Sequence, residues 1–128
     1  MITTILFDHF TLNRDLLEYI EKLKPKYILH LFTTDIIQND KAVKKFLDPL
    51  FLRIFTAKEL GFSKKHIASY HAIVQNLRVA PSEILFVDDT KENIAAASQA
   101  GLETLHFISN HKLFTDLKKL LLHEYPFQ

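Results

Sequence analysis

Ile84-Leu85-Phe86-Val87-Asp88-Asp89-Thr90-Lys91-Glu92-Asn93, running on to Ala100-Gly101, is the stretch that decides the fold. Its first four residues are apolar, with β-branched Ile84 and Val87 at the ends, and read as a strand buried on both faces. Two acids close the strand. A helical segment follows from about Lys91 to Ala100, and Gly101 stands where that helix has to stop. The same alternation runs outward in both directions. Thr3 to Phe7 is a β-branched and aromatic run ending at Asp8. Asn13 fits a helix N-cap, with Leu16, Leu17, Ile20 and Leu23 on one helical face and Pro25 as the stop. Tyr27 to Phe32 is a second strand, ending in Thr33-Thr34. Asn39 or Asp40 caps a helix carrying Val43, Phe46, Leu47 and Leu50, and Phe51 to Phe55 is a third strand. Beyond Gly61, Ser63 is placed to cap a helix from Lys64 to about Leu77, and Pro81-Ser82 turns the chain into Ile84. Leu102 to Phe107 is a fifth strand. Leu113, Phe114, Leu117, Leu120 and Leu121 line a last helix.

Apolar strands joined by helices indicate a parallel sheet covered on both faces, a single Rossmann-like α/β domain of three layers over residues 1–128. The chain is 48% hydrophobic and 24% charged, an ordinary globular composition. Its net charge of +1 gives no basic excess for nucleic acid or an anionic membrane. The absence of cysteine excludes disulfides, thiolate catalysis and Cys-ligated metals, and fits a reducing cytoplasm, which is the expected location. With only Gly61 and Gly101, no Gly-rich phosphate loop can be built. No segment reaches the length of about 18 apolar residues that spans a bilayer, and Met1 to Asp8 lacks the pattern of a signal peptide.

In an open parallel sheet, ligands bind beyond the carboxyl ends of the strands, where the strand order reverses. Asp8, Thr33-Thr34 and Asp88-Asp89 stand at those ends, and Lys64 at a nearby helix start. Crowded carboxylates call for a hard cation such as Mg²⁺, and a lysine with two hydroxyls suits a phosphoryl group. Each element has a plainer reading too. Asp88-Asp89-Thr90 suits a helix cap, Asp8 a turn, Thr33 and Thr34 ordinary strand positions, and Lys64-Lys65 a solvated helix start. His66 and His71, five residues apart, sit poorly on one helix face for a shared metal.

The stretch from Ile84 to Gly101, with Asn93 four residues after Asp89, resembles the fourth motif of the haloacid dehalogenase-like (HAD) hydrolases. The upstream spacing agrees with that family: Gly61, Lys64 three residues on, Tyr70 six beyond, and Asp88 eighteen later. Tyr27 to Thr33 resembles the second motif, and Asp8 after its apolar strand resembles the first. The resemblance implies strand order 5-4-1-2-3 and an Mg²⁺-dependent phosphatase in which Asp8 attacks phosphorus and forms an aspartyl-phosphate. It implies Mg²⁺ held by Asp8, Asp88 and the backbone carbonyl of Phe10, with Asp89 either completing the site or standing just behind the ligands. Thr33 and Lys64 would hold the phosphoryl oxygens, with Thr34 beside them.

The first motif departs from the family. It reads Asp8-His9-Phe10-Thr11-Leu12 where phosphatases have Asp-x-Asp-Gly-Thr. Phe10 replaces the general acid, whose help is typically worth about 10²–10⁴-fold. The expected enzyme is therefore best on acidic leaving groups that need no proton. His9 is adjacent to Asp8 and is the only nearby substitute, although neighbouring residues usually point apart. With no cap domain expected, the crevice stands open. That implies a phosphorylated small molecule or macromolecule as substrate, with a lid lent by a partner chain or a second copy. Two alternatives carry from the same residues. One is a binding or scaffolding module that has lost catalysis. The other is a metal-independent 2-haloacid dehalogenase, since an Asp-x-Phe first motif occurs in that branch.

Overall fold

The computed structural model describes residues 1–34, 41, 45 and 47–124. Five strands form one parallel sheet: β1 (Thr4–Asp8), β2 (Ile28–Thr33), β3 (Arg53–Thr56), β4 (Ile84–Asp88) and β5 (Glu103–His106). Their order is β3-β2-β1-β4-β5, the order expected from the resemblance. Helices α1 (Arg14–Leu23), α2 (Ala57–Leu60), α3 (Ile67–Leu77), α4 (Lys91–Gln99) and α5 (Asn110–Glu124), with two short 3-10 turns, His9–Thr11 and Pro81–Glu83, complete the described elements.

The three central strands are apolar on both sides because both sides are covered. Side chains alternate across a strand, so each strand serves two cores. Ile5, Phe7, Leu29, Leu31, Leu85 and Val87 face one way and pack with Leu16 and Ile20 of α1 and with Leu113 and Leu117 of α5. Leu6, Phe32, Ile84 and Phe86 face the other way and pack with Tyr70 and Ile73 of α3 and with Ala96 and Ala97 of α4. The Tyr70 ring meets Phe86 and Phe32 edge-on, with centroids 5.1 and 5.8 Å away. The small residues of α4 let that helix lie close to the sheet.

Local signals explain most of the boundaries. The Asn13 side chain accepts a hydrogen bond from the Leu16 N–H at 3.0 Å, capping α1 as expected. Gly101 adopts φ +94 at the end of α4, and a Cβ there would meet the Pro81 ring at 3.2 Å. Two boundaries differ from the sequence reading. Strand β3 starts at Arg53, two residues late, because the chain is still turning: the Phe51 N–H bonds the Leu47 carbonyl at 3.0 Å. Phe51 is nonetheless buried as a loop residue. Helix α3 starts at Ile67, with His66 as its cap, so Ser63 does not cap it and Lys64 lies in the preceding turn. The helix expected from Asn39 or Asp40, with Val43 and Phe46, lies mainly outside the described residues. Leu47 is described and buried.

One buried side chain makes the fold pH-sensitive. His30, 2% exposed in the middle of β2, stands edge-on to Phe55, and its Nδ1 has no hydrogen-bond partner among the described residues. Burial, assisted by the positive Arg53 beside it, lowers its pKa from 6.5 to about 4. The folded pKa lies below the unfolded one, so this contribution to stability is complete above pH 6.5 and is lost as pH falls towards 4. Between pH 7.5 and pH 5 it amounts to about 2 kcal/mol. In urea unfolding at those two pH values, the wild type should therefore lose about 2 kcal/mol more than His30→Leu. Equal losses in the two proteins would contradict the assignment.

Candidate functional site

All five strands are parallel, so Asp8, Thr33 and Asp88 end up on one edge of the sheet. Strand alternation puts Asp8 with Leu6, and Asp88 with Phe86, on the Tyr70 side of the sheet. The two carboxylates converge there. One carboxylate oxygen each from Asp8, Asp88 and Asp89 lie within 4.8 Å of one another. Among the described residues this is the one cluster of carboxylate or histidine groups close enough to share a metal ion. Asp8 and Asp88 are buried and Asp89 is exposed.

Each acid is held by its neighbours. The Thr11 hydroxyl donates to the Asp8 backbone carbonyl at 2.7 Å, inside a short 3-10 turn (His9–Thr11) that follows β1. The Asp8 carboxylate pairs with the Lys64 ammonium, which also lies 5.3 Å from the centre of the Phe32 ring. Asp88 accepts from the Asn93 amide at 2.7 Å and from the Thr90 N–H at 3.0 Å. Burial and the nearby Asp8 charge nonetheless push the Asp88 pKa up to about 6, against the lowering effect of those two hydrogen bonds. Lys64 thus offsets one carboxylate while Asp88 remains short of positive charge. Three hard oxygen donors with a charge deficit match the chemistry of Mg²⁺, and the residues present fit that ion.

Lys64 reaches Asp8 because its loop is fastened from below. The buried Ser69 hydroxyl lies 3.1 Å from the Phe62 carbonyl and 2.8 Å from that of Ser63. The Tyr70 hydroxyl donates to the Lys64 carbonyl at 2.6 Å. Burial, with Asp88 and Asp8 nearby, raises the Tyr70 pKa, so this phenol stays a donor at neutral pH. Tyr70 therefore positions the lysine's backbone.

The strand tips open into a cavity of ≈250 Å³ lined by Asp8, Thr34, Ser63, Lys64, Lys65, Thr90 and Asn93, with Ala57 at its wall. Of the two threonines expected at the site, Thr34 lines this cavity. Thr33 is buried at the end of β2, in register with Thr56, and is not among the lining residues. Alternation sends Thr33 to the opposite face from Phe32 and brings Thr34 back. His9 is half-buried, and its pKa is lowered, chiefly by burial, with Asp8 raising it and Lys64 lowering it. His66 and His71 are exposed and outside the acid cluster.

Two supporting groups went unassigned in the sequence. Asn93 lay inside the motif, but its bond to Asp88 depends on helix α4 folding back over β4. His106 Nε2 lies 2.8 Å from the Asp89 carbonyl and steadies the acid loop. Its signal was a polar residue at the end of the strand that pairs with β4, in register with Asp88.

The chain is similar to several known proteins. The chain is 33% identical over 100 residues to the enolase-phosphatase E1 of Enterobacter sp. (strain 638), an alignment covering 73% of this chain and 43% of that protein. The chain thus spans less than half the length of this relative. A HAD-like family hydrolase from Porphyromonas gingivalis superposes with a TM-score of 0.73 at 25% identity, over 85% of this chain and 57% of that one. A HAD family enzyme from Bacteroides thetaiotaomicron, solved with magnesium and inorganic phosphate, superposes with a TM-score of 0.68 at 21% identity, over 80% of this chain and 55% of that one. The family model for haloacid dehalogenase-like hydrolases matches residues 3–101. By that match, and with the acid pair, lysine and sheet order in place, the chain belongs to the haloacid dehalogenase-like hydrolases.

Proposed function

We propose that this chain is an Mg²⁺-dependent phosphatase that works through an aspartyl-phosphate on Asp8. The observation that carries the reading is the buried Asp8 carboxylate, paired with Lys64 and clustered with Asp88 and Asp89 at the floor of an open cavity. The enolase-phosphatase relative and the neighbour solved with magnesium and phosphate support it.

Asp8 would attack the phosphorus of a monoester while Lys64 draws the phosphoryl oxygens toward it, with Thr34 beside them. Thr33 is buried at the end of β2 and does not line the cavity, so Thr34 would take the contact that the resemblance implies for Thr33. Asp8, Asp88, Asp89 and the Phe10 backbone carbonyl would hold Mg²⁺, which neutralises charge on the transferring phosphoryl group. A carboxylate is a weak nucleophile, so positioning and charge do most of the work. The substrate would be a phosphorylated small molecule or macromolecule, met in the cytoplasm. A second copy or a partner chain would supply any lid.

The expected result is hydrolysis of p-nitrophenyl phosphate that needs Mg²⁺ and disappears with EDTA. Activity unchanged by EDTA would contradict the metal assignment. Phe10 at the general-acid position favours a second reading, a binding module without turnover, and undetectable hydrolysis with retained phosphate binding would establish it. The dehalogenase reading is less well supported, because the acid cluster beside Asp8 repels the carboxylate of a 2-haloacid unless a cation intervenes.

A further inference from the structure

A second hollow adjoins the cavity above Asp8. It is lined by Thr34, Ala57, Lys58, Gly61, Phe62 and Ser63, and shares Thr34, Ala57 and Ser63 with that cavity. A group bound at Asp8 therefore opens directly onto it. Phe62 is one of the few large apolar side chains left exposed among the described residues, at 47%. Its position is built rather than incidental. Gly61 ends α2 with φ +82, a conformation that side-chain-bearing residues rarely adopt, and turns the chain outward. The next three carbonyls, those of Phe62, Ser63 and Lys64, are held by the buried Ser69 and Tyr70 hydroxyls. The loop that carries Lys64 in to Asp8 thus holds Phe62 in the hollow that adjoins that cavity.

The cavity lining adds an independent constraint. Among the described residues its lining contains one carboxylate, Asp8, which is paired with Lys64, and no histidine. Among the described lining residues no carboxylic acid or imidazole is placed to protonate a departing alkoxide, and Asp88, behind Asp8, is committed to Asn93 and the Thr90 N–H. A phenoxide needs that help far less, because a phenol's pKa is about 10.

We infer that Phe62 forms a leaving-group subsite and that the preferred substrates are phosphate monoesters of phenols, the aryl ring lying against Phe62 while the phosphoryl group sits at Asp8 and Lys64. The inference rests on the phosphatase reading above and names its substrate class. In the step it describes, an Asp8 oxygen bonds to phosphorus as the phosphorus–aryl oxygen bond breaks. The phenoxide leaves with the electron pair and takes a proton from solvent. Water then cleaves the acyl phosphate to Asp8 and inorganic phosphate.

The test compares kcat/KM for 1-naphthyl phosphate and for acetyl phosphate, whose more acidic leaving group also departs unprotonated but carries no ring, and reads the change in their ratio between variants. Phe62→Ala should lower the naphthyl-to-acetyl ratio by roughly three- to tenfold, the range for one aromatic contact. Phe62→Trp should keep the ratio. A ratio that moves less than twofold in Phe62→Ala overturns the subsite and leaves the phosphatase reading standing. Failure of the wild type to hydrolyse either compound overturns both.

Discussion

Asp8→Asn should reduce hydrolysis of an activated aryl phosphate by about 10⁴-fold or more, the scale on which removal of a nucleophile acts. The substitution preserves shape. Asp8 is 1% exposed, and its backbone carbonyl keeps the Thr11 bond whatever the side chain. The amide oxygen can still accept from Lys64, so the pocket stays assembled while the attacking oxygen is gone. Far-UV circular dichroism should match the wild type, which separates lost chemistry from lost fold. Retention of more than a tenth of the activity would mean that Asp8 is not the nucleophile.

The second large effect is on stability. Phe86→Ala should lower the unfolding free energy by about 3–5 kcal/mol, the cost of truncating a buried aromatic. Phe86 is fully buried in β4, and its ring packs on Tyr70 at 5.1 Å. Domains of this kind have only about 5–15 kcal/mol in total, so the urea midpoint should fall steeply. Because Tyr70 also holds the Lys64 carbonyl, the same variant should loosen the lysine and weaken activity in whatever fraction stays folded. A loss below about 1.5 kcal/mol would place Phe86 at a site able to collapse around the gap.

The stretch from Ile84 to Gly101 was legible in the sequence because its information is local. An apolar run, an acid pair, a small-residue helix and a glycine stop lie within one strand–helix unit. Strand order followed once the spacing from Gly61 through Lys64 and Tyr70 to Asp88 had been matched. Other features depend on partners far away in the chain. Ser63 looked like a helix cap because Ser before a helical stretch usually is one. Its loop is instead committed to delivering Lys64 to Asp8, 56 residues away in sequence, and the helix begins only after that delivery. The resemblance pointed to Thr33 as the phosphoryl contact with Thr34 beside it, whereas Thr34 is the one that lines the cavity, which only the alternation at the end of β2 decides. Nothing local in Tyr27 to Phe32 marks His30 as buried; that follows from its place in an inner strand of a sheet covered on both faces.

The central claim is that the tips of β1 and β4 together grip a cation, and that Asp8 carries the phosphoryl group beside it. Crystals grown with Mg²⁺ and beryllofluoride test it most directly. The account predicts beryllofluoride bonded to an Asp8 carboxylate oxygen, contacted by Lys64, with Mg²⁺ coordinated by both Asp8 and Asp88. Crystals that show Asp8 unmodified and still paired with Lys64, with no ion between the two carboxylates, would contradict it.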